Sequence, residues 1–168
     1  MATVSAYYDT CIFLESLNPT HDECPHCVDL LDTAKVRWKI ALCRELSISE
    51  STAREFIERF EVDCALNGVN ITSVTTAEAR KIAKKNRDLG RSLKQLGFGS
   101  NDWTHVAAAA AAGVNCLCTV DSDFLDPANK STPKAKRKKT RVKDAIEERF
   151  PIRVRLPSEF LQNEGNGN

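Results

Sequence analysis

Residues 102–120, DWTHVAAAAAAGVNCLCTV, constrain the fold of this chain more than any other stretch. Six consecutive alanines follow Val106, so 102–112 reads as a helix that is apolar nearly all round, and such helices are buried. After Gly113, residues 114–120 (VNCLCTV) are apolar on both faces. A strand with no polar face belongs inside a sheet covered on both sides, the environment of parallel strands. A buried helix leading into a buried strand predicts an α/β fold with a mainly parallel central sheet flanked by helices.

The rest of the chain fits that frame. Residues 4–8 (VSAYY) read as a first strand ending at Asp9, and 10–17 as a helix stopped by Asn18-Pro19. A second helix spans 22–34. Residues 36–43 alternate, with Val36, Trp38, Ile40 and Leu42 on one face of a strand. A helix from about 45 to 60 follows, then an irregular or extended stretch at 69–74. Thr75 and Glu78 have capping-box spacing and open a helix to about Leu96, with Gly90 as the expected point of interruption. A short strand at 152–156 and a helix at 158–162 close a single domain, residues 1–162. The tail 163–168 (NEGNGN) is expected to be disordered.

With 168 residues and 42% hydrophobic content, the chain is long and apolar enough to bury one core. No segment is apolar enough to cross a membrane, and the N-terminus lacks the pattern of a signal peptide. The expectation is a cytoplasmic protein without membrane contact. Seven cysteines, an odd number scattered through apolar segments, fit reduced thiols better than a disulfide framework.

The net charge of +1 conceals an asymmetry. Segment 134–143 (KAKRKKTRVK) holds Lys134, Lys136, Arg137, Lys138, Lys139, Arg141 and Lys143 and no acid. With these seven removed from the 24 Lys/Arg, 17 remain against 23 Asp/Glu. An acidic body with one basic stretch, read as a loop insertion at about 127–143, suggests contact with an anionic partner. A solvated loop with no ligand is the alternative.

The acids that matter stand where apolar segments end. Asp9 follows the first strand, and Asp121 follows 114–120, with Asp123 just beyond. In parallel sheets, sites form beyond the carboxyl ends of strands, so these carboxylates meet if the two strands are neighbours. Asp102 opens the alanine-rich helix, where a carboxylate also complements the helix dipole. Glu50 falls within the helical stripe Leu46, Ala53, Ile57 and Phe60, whereas Glu55 falls opposite it and should face solvent. Ser47 to Glu50 also matches a capping box, which would make 44–47 non-helical. The stripe favours Glu50 over Glu55. Carboxylates are costly to bury unpaired, and a divalent cation is the simplest group to hold several together.

This pattern resembles a PIN-domain ribonuclease of the VapC toxin type. The resemblance rests on Asp9-Thr10 after a strand and on a Glu in the first turns of a later helix. Its specific parts are Asp102-Trp103-Thr104-His105-Val106-Ala107-Ala108 and Thr119-Val120-Asp121-Ser122-Asp123-Phe124. It extends from residue 4 to about 162. Two positions depart from the family pattern, which often has Asn where Cys11 and Val120 stand. The basic segment is also longer than the compact pattern.

The resemblance implies a metal-dependent endoribonuclease using Mg²⁺ or Mn²⁺, hard ions suited to carboxylate oxygens. It implies RNA as substrate, an antitoxin protein as a partner if the chain is the toxin of such a pair, and a homodimer. Asp9, Asp102 and Asp121 would be the ligands and Asp123 a lesser one. Glu50 would complete the cluster or orient water. Thr119 would hydrogen-bond a carboxylate or phosphate, and His105 would make a structural hydrogen bond. The seven basic residues of 134–143 would contact RNA phosphates. The alternative is a PIN-like nucleic-acid-binding or scaffold protein with weak or no catalysis. A third possibility is a thiol or zinc module at Cys24-Pro25-His26-Cys27 with His21. It lacks a preceding strand and a second Cys-x-x-Cys, so plain thiols are the better reading.

Overall fold

Consecutive residues Tyr7 and Tyr8 of the first strand show how the sheet is covered. The Tyr7 hydroxyl meets His105 on one side, while the Tyr8 ring packs on Phe13 and Phe60 and its hydroxyl reaches the Leu30 carbonyl. Adjacent side chains on a strand point to opposite faces, so both faces carry helices. The computed structural model describes residues 5–37, 39–47, 51–69, 71–125 and 132–165.

In chain order the elements are β1 (Ser5–Tyr8), α1 (Thr10–Glu15), α2 (Cys24–Arg37), β2 (Lys39–Leu42), a 3-10 turn (Arg44–Ser47), α3 (Ser51–Leu66) and β3 (Ile71–Ser73). Then come α4 (Thr76–Lys85), α5 (Arg87–Gln95), α6 (Ser100–Ala112), β4 (Cys116–Cys118), α7 (Pro133–Arg149), β5 (Arg153–Arg155) and α8 (Pro157–Gly165). All strand pairs are parallel, in the order β3-β2-β1-β4-β5. The chain builds outward from β1 to β3 on one side, then crosses to β4 and β5 on the other. The order therefore reverses between β1 and β4, and in such sheets the crevice at the carboxyl ends of those two strands is the usual ligand site.

The alanine-rich helix is buried as its composition predicts. His105 to Ala109 are all buried, and α6 packs on α4 and against β1, β2 and β4. On the other face α1, α2 and α3 pack together, with α8 against α2. Buried Glu23 links these last two, because its carboxylate accepts the Ser158 amide at 3.0 Å and the Ser158 hydroxyl at 2.8 Å.

Several local expectations change. Residues 133–149 are a helix, not a basic loop. Thr132 caps it by accepting the Ala135 amide at 3.3 Å, Pro133 occupies its first turn, and Val142 and Ile146 bury its inner stripe. The run of charge obscured this ordinary start signal. Residues 71–73 are a strand paired with β2. The Thr75 capping box forms in both directions, at 3.2 and 2.8 Å. The helix it opens breaks at Asn86, whose side chain bonds the Ile82 carbonyl at 2.9 Å, and not at Gly90. Gly90 stays within α5, where its missing side chain makes room for Trp103: a Cβ there would lie 3.1 Å from the indole nitrogen. The helix expected from 45 is a 3-10 turn followed by α3. Residues 163–165, expected to be disordered, continue α8, whereas 166–168 lie outside the described residues.

Candidate active site

Residues β1 and β4 are paired in register, with Tyr8 opposite Cys118. The Asp9 amide continues this ladder to the Cys118 carbonyl at 3.1 Å, and the Thr119 amide bonds the Arg155 carbonyl at 3.1 Å. Asp9 and Thr119 thus leave adjacent strands at the same level. The neighbour condition posed by the sequence is met.

Asp9 is buried and held on every side. Its Oδ2 accepts the Thr119 hydroxyl at 2.8 Å and the Cys11 thiol at 3.2 Å. Its Oδ1 faces His105 Nε2 at 3.2 Å, and Tyr7 hydroxyl and His105 Nδ1 are 2.8 Å apart. The network is satisfied when Nε2 carries the proton and Tyr7 donates to Nδ1. Burial, and then Asp9, hold the Tyr7 hydroxyl well above its ordinary pKa, so it keeps the proton it donates. The chain Tyr7–His105–Asp9 orients one carboxylate, the role typical of partners behind a ligating group.

Thr119 does two things. Besides donating to Asp9, its oxygen accepts the Asp121 amide at 3.0 Å. The Asp121 carboxylate then accepts the Asp123 amide at 2.8 Å, an Asx-type turn that fixes the half-buried Asp121 and leaves Asp123 exposed. The Phe124 ring anchors this turn edge-on against Phe98, with centroids 4.8 Å apart. Phe98 belongs to the loop before α6, and so the turn that carries Asp121 is packed against the loop leading into the helix that carries Asp102.

Asp102 sits in the first turn of α6, and its carboxylate accepts the Gly99 amide at 3.2 Å. A Cβ on Gly99 would stand 2.6 Å from that carboxylate, so the loop approaches to a distance only glycine allows. Half-burial, then Asp121, Asp123 and Asp9, push the Asp102 carboxyl up to about 6. Burial, with Asp9 and Asp123, also raises Asp121, against the lowering effects of the Asp123 amide and His105. These carboxylates sense one another's charge across the crevice. The sequence-predicted Asp9, Asp102, Asp121 and Asp123 therefore border one crevice, Asp9 and Asp121 tied through Thr119 and Asp102 near enough to feel the charge of the other three.

Glu50 lies outside the described residues. Leu46 belongs to the separate 3-10 turn, so it shares no α-helical stripe with Ala53, and that argument for Glu50 lapses. Ala53, Ile57 and Phe60 are buried as expected, and Glu55 is exposed beside Glu58, Arg59, Val62 and Asp63. Sequence reading passed over Tyr7 and Gly99. Tyr7 had one available signal, because it lies two residues before Asp9 on the same strand face. The thiol of Cys11 fills part of the place of the family's Asn: it reaches Asp9, lies 3.3 Å from Thr119 and accepts the Val120 amide at 3.4 Å. Cys24 and Cys27 open α2 after a helix, not a strand. Cys27 is buried and its thiol is pushed up to about 12, chiefly by burial, which leaves it unreactive at neutral pH.

Residues 6–130 match the family model of the PIN domain. This chain belongs to the PIN domain family. The match spans Asp9, Asp102, Asp121 and Asp123 and stops before α7, although β5 beyond it completes the PIN sheet. A similar solved structure is described as VapBC2 from Rickettsia felis bound to a DNA fragment from their promoter. It is 17% identical, covers 91% of this chain and 98% of its own, and has a TM-score of 0.46. No curated protein matches. No helix among the described residues is long and apolar enough to cross a membrane.

The donor set of this PIN domain suits a hard divalent cation. Asp102 and Asp121 present oxygens whose mutual repulsion a cation would relieve, and His105 is already engaged with Tyr7 and Asp9. Among the described residues, no group of three or more His, Cys, Asp or Glu side chains is placed to hold a metal ion by itself. An ion here would need water molecules to complete its shell, as Mg²⁺ commonly does.

Proposed function

We propose that this PIN domain is a metal-dependent endoribonuclease that hydrolyses RNA phosphodiester bonds. The observation that carries the reading is the approach of Asp9, Asp102 and Asp121 to the β1–β4 crevice, with Asp102 raised first by burial and then by the other acids. Asp9, Asp102 and Asp121 would hold Mg²⁺ or Mn²⁺ directly or through water, and Asp123 would add negative charge at the rim. A bound ion would supply charge neutralisation at the phosphate and acidify a coordinated water, which the crevice's carboxylates are placed to orient. Asp9 is the rigid member, because Thr119, Cys11 and His105 orient both its oxygens. Asp102 and Asp121 are the repulsive members, which supply affinity for the cation. Glu50 remains the proposed fourth acid.

The resemblance of the motifs further supports the toxin of a toxin–antitoxin pair, acting in the cytoplasm as a homodimer with an antitoxin protein as partner. The test is cleavage of a mixed RNA pool with Mn²⁺, comparing the wild type with Asp9→Asn and Asp121→Asn. Cleavage by the wild type alone supports the reading. Equal cleavage by all three, or none by any, sinks it. Binding of RNA without cleavage would favour a PIN-like nucleic-acid-binding protein instead.

A further inference from the structure

The basic residues of 134–143 do not act as one patch, because the helix sorts them. Ala135, Lys139, Val142 and Ile146 follow the inner stripe of α7, with Val142 and Ile146 buried. Lys134, Arg137, Lys138 and Arg141 lie on an exposed face at helical spacing. That face and the turn Gln95-Leu96 enclose a groove of about 830 Å³. A second hollow of about 170 Å³ adjoins it, lined by Leu96, Gly97, Phe98, Lys138, Lys139 and Asp123, among others. Lys138 lines both, and so does Leu96. One hollow is lined by cations, and the other reaches an acid of the candidate active site.

Three observations mark this as a prepared track and not a solvated face. First, among the described residues Lys134, Arg137, Lys138 and Arg141 have no carboxylate partner, although the body of the chain is acidic. Second, Gly97 has φ +80°, and a Cβ there would meet Lys138 Nζ at 2.7 Å, so the turn leaves room for the ammonium. Third, Val142 and Ile146 seat the helix on the core, and the Phe98–Phe124 contact fixes the facing loop.

We propose that the groove between α7 and the turn at 95–97 is the track along which the phosphates of an RNA strand enter the acidic crevice, with Lys138 as the positioning residue at its mouth. The inference rests on the nuclease reading. It adds where the strand lies, and it excludes Lys136 and Lys143, which line neither hollow. From 134 to 141 the face runs roughly 10 Å along the helix, about three nucleotides of a stacked strand. Such contacts position a strand without reading its sequence.

The test is fluorescence anisotropy of a short labelled single-stranded RNA in EDTA over a salt series. The variants are Arg137→Gln/Arg141→Gln, Lys138→Gln, and Lys84→Gln/Lys85→Gln on the exposed end of α4. The two double variants remove equal charge. The Arg137/Arg141 pair should weaken binding and lower the slope of log affinity against log salt by about 1.4, two contacts at ~0.7 each. Lys138→Gln should lower it by about 0.7. The α4 pair should leave the slope unchanged. Equal losses from both pairs, or none from the groove pair, overturns the track. Because binding is read without metal or cleavage, that failure would leave the Asp9→Asn result standing. Conversely, a groove that binds RNA in a protein that never cuts it would defeat only the nuclease reading.

Discussion

The acidic crevice and the basic face of α7 lie side by side and are built in opposite ways. In the crevice, Asp9 alone draws on α1, α6 and the residue after β4, and its contacts with His105 and Thr119 are long-range ones, only Cys11 being a near neighbour. On α7, one helix displays four cations by its own periodicity. The difference teaches where each kind of charge is held. Like charges kept together against repulsion need a rigid, buried support, whereas a track for phosphates needs only a seated helix and no competing carboxylates. The half-buried crevice loses more stability to its charge than the exposed helix face, where each like-charge i,i+4 pair costs about 0.2–0.5 kcal/mol.

Breaking the crevice should have the largest effects. Asp9→Asn should cut the RNA cleavage rate on the order of 10²–10³-fold with the fold retained by circular dichroism. A rate within a few-fold of wild type would show that Asp9 is structural. Gly99→Ala is subtler. Its Cβ has no room beside the Asp102 carboxylate, and a displaced acid should lower cleavage roughly ten- to a hundred-fold while the melting temperature moves little. Unchanged kinetics would mean the carboxylate swings away freely.

Tyr7→Phe removes the partner of His105 Nδ1 and leaves a buried nitrogen unsatisfied. Stability should fall by about 1–2 kcal/mol in urea unfolding, and cleavage by about tenfold as Asp9 loses its brace. Loss of stability without loss of rate would separate the brace from the chemistry.

Asp102→Asn sharpens the comparison through pH. A carboxyl raised in the folded state contributes its full stability only below its unfolded pKa, and this is lost as pH rises through about 6. In EDTA near pH 7.5 the variant should therefore be more stable than wild type. After discounting for the exposed half of the side chain the gain is about 1 kcal/mol. The gap should close near pH 4, and Mg²⁺ should stabilise the wild type more than the variant. Thermal melts across that range read the sign, and a wild type more stable at pH 7.5 without metal would contradict the repulsion argument.

Much of the fold was legible because its signals are local. The doubly apolar strand at 114–120, the alanine helix and the Thr75 capping box depend on residues within a few positions of one another. The acids Asp9 and Asp121 were legible because each ends a strand. The α7 helix was hidden by its charge, although Thr132-Pro133 announced it, and the break at Asn86 was misplaced because the glycine at 90 serves close packing against Trp103 of another helix and not a chain break. Tyr7 looked like one more apolar strand residue, and Glu50 falls outside the described residues.

The amino-acid sequence by itself determined the α/β class, the buried centre and the candidate acids, because periodicity and strand ends are properties of short segments. Tertiary structure alone decided that β1 and β4 are neighbours, that His105 joins Tyr7 to Asp9, and which four cations share a groove. Those facts depend on contacts between residues up to about a hundred positions apart, and the strength of a charge in this crevice depends on which other charges the fold brings beside it.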